Sequence, residues 1–348
     1  MTVQWSALER LLNSFDAEKA CEHGLGPLAA HFRRLRGEPV PDGLAREERA
    51  ASAANLIAPS LLSRARQAYD GRLMLLKGPE LSIRYPQRAR RFGDLDLLAD
   101  DADTAQSALL AAGFRLQERD WPPEGYDEVR RPHYHLQPLE WPGLGLRIEI
   151  HRRVKWPEGL PPPRNEELFE AAVPASIGVD GLLTPHPDHH AVLLVSHAWG
   201  EVPMRTLREL VDALAFIDEG DRDAARRVAE RWGIGRGWQT TVEAAEWVVH
   251  GEREPAFVRI WARYLRDLRE PTVIETHVQE WLAPFWLTSF GAALRLSAAA
   301  ITRDFRPEIG QSWSEKLSQM RRALLHPLSS KADQNRRYSV TGGRDAQE

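Results

Sequence analysis

One cysteine in 348 residues, Cys21, leaves no intrachain disulfide to form, so the fold has to rest on its packed core, as suits a reducing compartment. Nothing in the sequence around Cys21 suggests an activated thiolate, and cysteine catalysis is not expected. Basic surplus is missing too: the formal net charge is −4, whereas a chain that grips nucleic acid by its backbone usually carries a clear positive excess. Nucleic acid is therefore not the expected partner. Long hydrophobic runs are absent. Residues 1–15 lack a basic start followed by an apolar core and read as an amphipathic helix, not a signal peptide. The nearest approach to a membrane span, residues 281–301, is interrupted by Pro284, Gly291 and Arg295 and is largely alanine, short of the roughly 20 strongly apolar residues a span needs. It reads as a buried helix or helix pair. The twelve tryptophans do not alternate with basic residues as a base-stacking platform would, which makes them core and interhelix residues. No fixed-period repeat or low-complexity array is present. The chain is expected to be cytoplasmic.

What is present suggests an α+β fold: a small mixed β-sheet core with flanking helices, followed by a mainly helical C-terminal half. Residues 1–70 form a helical lead-in, with Trp5, Leu8, Leu11 and Leu12 at helical spacing and Pro59 placed to start or kink a segment. Residues 71–156 form the α/β core, a proline-rich stretch at 156–174 reads as a crossing linker, residues 175–328 are helical, and 329–348 read as a disordered polar tail. Within the core, residues 101–112 have the marks of a helix, capped by Asp101 or Asp103 and stopped by Gly113. The Pro/Gly/charged loop at 120–131 is placed as a substrate-side loop or mobile edge. Gly143 and Gly145 suggest a hairpin before the strand at 146–154.

The chemistry gathers at 73–99. An apolar strand runs into Lys77-Gly78, a basic loop follows, and a second strand opens with Asp94-Leu95-Asp96. Side chains two apart on a strand share a face, so Asp94 and Asp96 point together while Leu95 and Leu97 enter the core. Like charges so close repel unless a cation sits between them, and Mg²⁺ suits such oxygen donors. Glu149 supplies a third acid, on one face of its strand with Arg147, His151 and Arg153. If the two strands are neighbours, three acids converge on a site for one or two divalent ions. Lys77, beside a glycine turn at a helix start, is placed either to meet phosphate or to end the strand in solvent. His133, His135 and His151 invite a zinc reading, but no cysteine joins them and a role lining the site wall fits better. His186, His189 and His190 read as an exposed polar cap on a helix start.

Lys77-Gly78, then Arg90-x-x-Gly93-Asp94-x-Asp96-Leu97-Leu98, then Glu149-x-His151 resembles the nucleotidyltransferase superfamily of the DNA polymerase β type. Within it the chain is most similar to the bacterial uncharacterised nucleotidyltransferase family, in which Lys-Gly stands where better-known members have Gly-Ser. The resemblance implies Asp94, Asp96 and Glu149 as catalytic and metal-binding acids, Mg²⁺ or Mn²⁺ as cofactor, and Lys77, Gly78 and Arg90 at the nucleotide phosphates. His151 matches a family position. In the helical half His197, Arg208 and Asp212 match loosely as pocket residues, although Arg208 and Asp212, four apart, equally fit a simple helix ion pair. The implied activity is transfer of a nucleoside monophosphate from an NTP to a hydroxyl on a small molecule, peptide or protein. A non-catalytic nucleotide sensor and a tRNA-modifying nucleotidyltransferase toxin are the alternatives.

Overall fold

A computed structural model of the protein describes residues 3–118, 133–200, 203–217, 221–251, 253–267, 269, 271–307 and 311–325. The loop at 120–131 and the tail at 329–348 lie outside the described residues. The strands are β1 (Leu73–Leu75), β2 (Asp94–Ala99), β3 (Arg115–Leu116), β4 (Leu139–Glu140), β5 (Arg147–His151), β6 (Val173–Pro174) and β7 (Leu183–Thr184). Among the described residues they form one sheet in the order β3-β4-β5-β2-β1-β7-β6. The sheet is mixed: β2 lies antiparallel to β1 and parallel to β5, and β1 lies parallel to β7. The parallel step from β2 to β5 needs a crossover. It contains the helix Ala102–Ala111, whose N-cap Asp101 accepts the Thr104 N–H. The hairpin β4–β5 turns at Gly143 and Gly145 as the sequence suggests.

Period-two alternation sorts the sheet's side chains to two faces. Leu73, Leu75, Leu95, Leu97, Ile148 and Ile150 pack with Leu61 and Leu62 of the helix Asp42–Ala68. Met74 and Leu98 face the other way, into a larger core that joins Leu8 and Leu28 to Val192, Trp199, Trp238 and Trp261. The even-numbered face of β2, which carries Asp94 and Asp96, is therefore the one the helical half covers.

Three expectations need correction. Pro59 starts no new segment, because the helix Asp42–Ala68 runs through it; the lost donor is the one that would have met the Asn55 carbonyl. The stretch 156–174 is not a bare linker: it holds the helix Asn165–Glu170 and β6, and two-residue strands carry no period-two signal to find them by. The histidine cap is mostly buried. His190 is 1% exposed, its Nε2–H donates to the Leu76 carbonyl at 2.6 Å, and its ring lies 4.2 Å from Phe216. His189 packs on Trp232, and only His186, the N-cap of the helix Pro187–Trp199, is exposed. The cause is the helix itself, which is buried around nearly its whole circumference and leaves solvent no face.

Burial holds the His190 pKa down to about 3 from its ordinary 6.5. The folded pKa is depressed, so this residue's contribution to stability is complete above 6.5 and is lost as pH falls through that window toward 3. His190→Gln keeps a donor for Leu76 without titrating. It is expected to flatten the acid limb of the stability–pH curve by the slope of about one proton, measured by urea unfolding across that range. An unchanged slope would contradict the assignment.

Residues 281–301 fall on three helices, Val273–Leu282, Pro284–Leu287 and Phe290–Phe305. Asp304 ties the outer two, accepting from His277 Nδ1 at 2.9 Å and Trp281 Nε1 at 2.8 Å, while Arg303 pairs with both Asp304 and Glu280. The buried reading holds for one face only: Ala293 and Ser297 are inside, but Phe290, Leu294 and Ile301 are exposed. No helix among the described residues is long and apolar enough to cross a membrane.

Candidate active site

Strand register brings the acids together. Across the parallel pair β2–β5, Asp94 stands opposite Arg147, Asp96 opposite Glu149, and Leu98 opposite His151. Opposed residues on neighbouring strands share a face. A pocket of about 350 Å³ opens over that face, and its walls include Lys77, Asp94, Asp96, Glu149, His151 and His197.

Asp96 is the buried centre, 2% exposed. Its Oδ1 lies 3.1 Å from His151 Nε2, and its Oδ2 lies 3.2 Å from Lys77 Nζ. Burial alone would raise its pKa, but the Lys77 ammonium and the His151 contact outweigh burial and hold it well below the carboxylate range. Glu149 behaves oppositely: burial, then the charges of Asp96 and Asp94, push its pKa up. Burial favours loss of the Lys77 proton, yet Asp96, Asp94 and Glu149 together raise its pKa, so it stays an ammonium. The ammonium also meets His197 Nε2 at 3.1 Å. Burial and then Lys77 push the His197 pKa well down, so its ring is neutral and Nε2 accepts from Lys77.

One ligand atom each from Asp96, Glu149 and His151 lies within 4.8 Å of the others. Two carboxylates and an imidazole, with Glu149's charge opposed by its acidic neighbours, form a donor set that fits a divalent cation. Asp94 lines the same pocket but stands outside that close group, at the start of β2 opposite Arg147. The zinc trio does not assemble, since only His151 of the three histidines belongs to the group. His135 Nδ1–H donates to the Leu136 carbonyl at 2.8 Å, and burial and then His151 lower its pKa to about 4.

Gly78 is needed where it is. Its φ is +72°, and a Cβ there would stand 3.3 Å from both the Asp94 carbonyl oxygen and Leu95 Cδ2. The close approach is to β2 itself, and it sets the Lys77 turn against the acidic strand. The helix after it, Pro79–Ser82, is a single turn.

Arg90 takes a different place from the phosphate role. It is buried, and its Nε and Nη2 donate to the two Asp212 oxygens at 2.7 and 2.8 Å. Tyr85 Oη donates to the same carboxylate at 2.6 Å. The guanidinium fork is thus filled from within. The loop before it is unusual, with Gln87 and Arg88 both at positive φ, and the Arg88 carbonyl accepts from Ser82 Oγ at 3.0 Å. Arg208 and Asp212 do not form a helix pair, because Arg90 takes the carboxylate; the Arg208 stem packs against Gly24. Arg90, Arg208 and Asp212 are not among the pocket walls.

The sequence pattern gave no site role to three polar residues of the wall, Arg147, Lys155 and Tyr134. Arg147 was legible, since it shares a strand face with Glu149. Lys155, whose ammonium lies 5.7 Å from the Tyr134 ring centre, follows the end of β5 and no periodicity points to it.

Acids on adjacent parallel strands of a mixed sheet, beside a Lys-Gly turn and beneath helices, are the arrangement that the resemblance to nucleotidyltransferases implies. The chain belongs to the uncharacterised nucleotidyltransferase family, whose model matches residues 4–250. That match takes in the lead-in helices, the sheet and the helical half as far as His250. No curated protein and no solved structure matches the chain.

Proposed function

We propose that this protein transfers a nucleoside monophosphate from an NTP to a hydroxyl on a small molecule, peptide or protein, with release of pyrophosphate. The observation that carries the reading is the register of β2 on β5, which sets Asp96 opposite Glu149 beside His151 and next to Lys77. A binding-only role does not call for three acids on one pocket. The net charge of −4 gives no support to tRNA as the acceptor.

The reaction forms a bond from the acceptor oxygen to the α-phosphorus and breaks the bond from that phosphorus to the bridging oxygen of pyrophosphate. Mg²⁺ or Mn²⁺ held by Asp96, Glu149 and His151, with Asp94 adjoining, would offset phosphate charge and lower the pKa of the acceptor hydroxyl. Lys77 and Arg147 on the pocket wall give the triphosphate its positive contacts. A Glu149 oxygen not engaged by the ion, or His151 through a water where it is not itself a ligand, takes the hydroxyl proton. Burial of Asp96 and its neighbours fixes the group before substrate arrives, so the work is mostly positioning. The test is mass spectrometry of reactions with each NTP, Mg²⁺ and a cell extract, run with the wild type and Asp96→Asn. A product heavier by one nucleotide, formed only by the wild type, is expected; the same product from both would refute the reading.

A further inference from the structure

Lys77 stands where a cation in front of Asp96 would stand. Its Nζ is 3.2 Å from Asp96 Oδ2, the oxygen that His151 does not hold. The backbone keeps it there. The Leu76 N–H donates to the Asp96 carbonyl at 2.9 Å, and Gly78 turns the chain at φ +72° one residue later. Only the flexible stem is free to move, and the side chain is 20% exposed at the pocket.

We propose that Lys77 is an exchangeable internal counter-cation: its ammonium balances Asp96 in the metal-free protein and leaves that carboxylate when a divalent cation binds. The inference rests on the nucleotidyl-transfer reading of the pocket. Three acids face one space, and Asp96 is nearly sealed from water; without the ammonium its buried charge would keep only the His151 contact. A divalent cation and an ammonium crowded against the one Asp96 oxygen repel strongly in this buried site, so the arrival of the divalent ion drives the ammonium off. His197 makes the resting place specific, because its neutral Nε2 accepts from the ammonium on the side away from the acid.

The consequence is a coupling between ligands. A divalent cation alone must displace Lys77 and leave the ammonium short of an anion, so it binds weakly. A cation arriving with a triphosphate offers the displaced ammonium a new partner, so the two bind more tightly together than apart.

The test is calorimetric titration of Mn²⁺, without nucleotide, into the full chain as wild type, Lys77→Met and Lys155→Met. Lys155 lines the same pocket and carries the same charge, and so reports what charge removal does by itself. Lys77→Met is expected to bind Mn²⁺ about tenfold or more tighter than wild type, with Lys155→Met changing by about threefold or less. Equal affinities for Lys77→Met and wild type, or equal tightening by both variants, would overturn the proposal. A readout on the wild type guards against misfolding of the variant. Reductive methylation of Lys77, followed by peptide mass spectrometry, is expected to rise several-fold on adding Mn²⁺, and no rise at saturation counts against exchange. Mn²⁺ binding that is absent from wild type and Lys77→Met alike, or unaffected by Asp96→Asn, removes the metal reading itself; Asp96-dependent binding with an inert Lys77→Met removes only the counter-cation.

Discussion

Asparagine in place of Asp96 is expected to lower nucleotidyl transfer by roughly 10²–10³-fold, the scale of losing one preorganised group that meets transition-state charge. The reason lies in how Asp96 is placed. It is 2% exposed, pairs in register with Glu149, and touches both Lys77 and His151. Asparagine keeps the shape and loses the charge, so a cation at this point loses its central ligand while the sheet keeps its hydrogen bonds. Initial rates of pyrophosphate release measure the loss, and circular dichroism checks that the variant is folded. Asp94 stands at the strand's first position, outside the close ligand group but on the same wall, and Asp94→Asn is expected to lower transfer on the same scale. Metal-dependent pyrophosphate release undiminished by either change would separate the acids from the chemistry.

Arg90→Met is expected to cost about 3–5 kcal/mol of stability, because removing one partner of a buried ion pair strands the other. Asp212 would keep only the Tyr85 hydroxyl in a site where burial already opposes its charge. A loss of that size is a large share of the stability of an ordinary domain. Urea unfolding of the single variant and of the double Arg90→Met/Asp212→Leu distinguishes structure from ligand binding. If the pair is structural, the double variant recovers much of the loss, since apolar replacement of a whole buried pair is often close to neutral. If Arg90 instead served phosphate, the single variant would stay stable and bind NTP weakly.

The central part of the fold was legible because its signals are local. Alternation of acids and leucines in Asp94-Leu95-Asp96-Leu97 fixes which side chains share a face, and the same alternation places Glu149 with Arg147 and His151. Period-two reasoning also implied that these faces would meet if the strands were neighbours, and β2 and β5 are neighbours. What stayed hidden was long-range. Arg90 and Asp212 are 122 positions apart, and nothing in either segment announces a pair. Asp212 had a plausible nearer partner in Arg208 at helical spacing, which the tertiary contact overrides. His190 looked like a solvent cap because three histidines at a helix start are polar; the apolar residues on every side of that helix decided otherwise. The strands β6 and β7, two residues each, are held by pairing with β1 and with each other, and carry no pattern of their own.

The most direct test of the central claim is a crystal structure with Mn²⁺ and a non-hydrolysable NTP analogue, with the metal located by its anomalous signal. The account predicts a manganese peak in contact with Asp96 and Glu149, and triphosphate oxygens beside Lys77. Manganese at His277, Glu280 and Asp304 with nothing at Asp96, or an analogue bound away from the β2–β5 face, would contradict it.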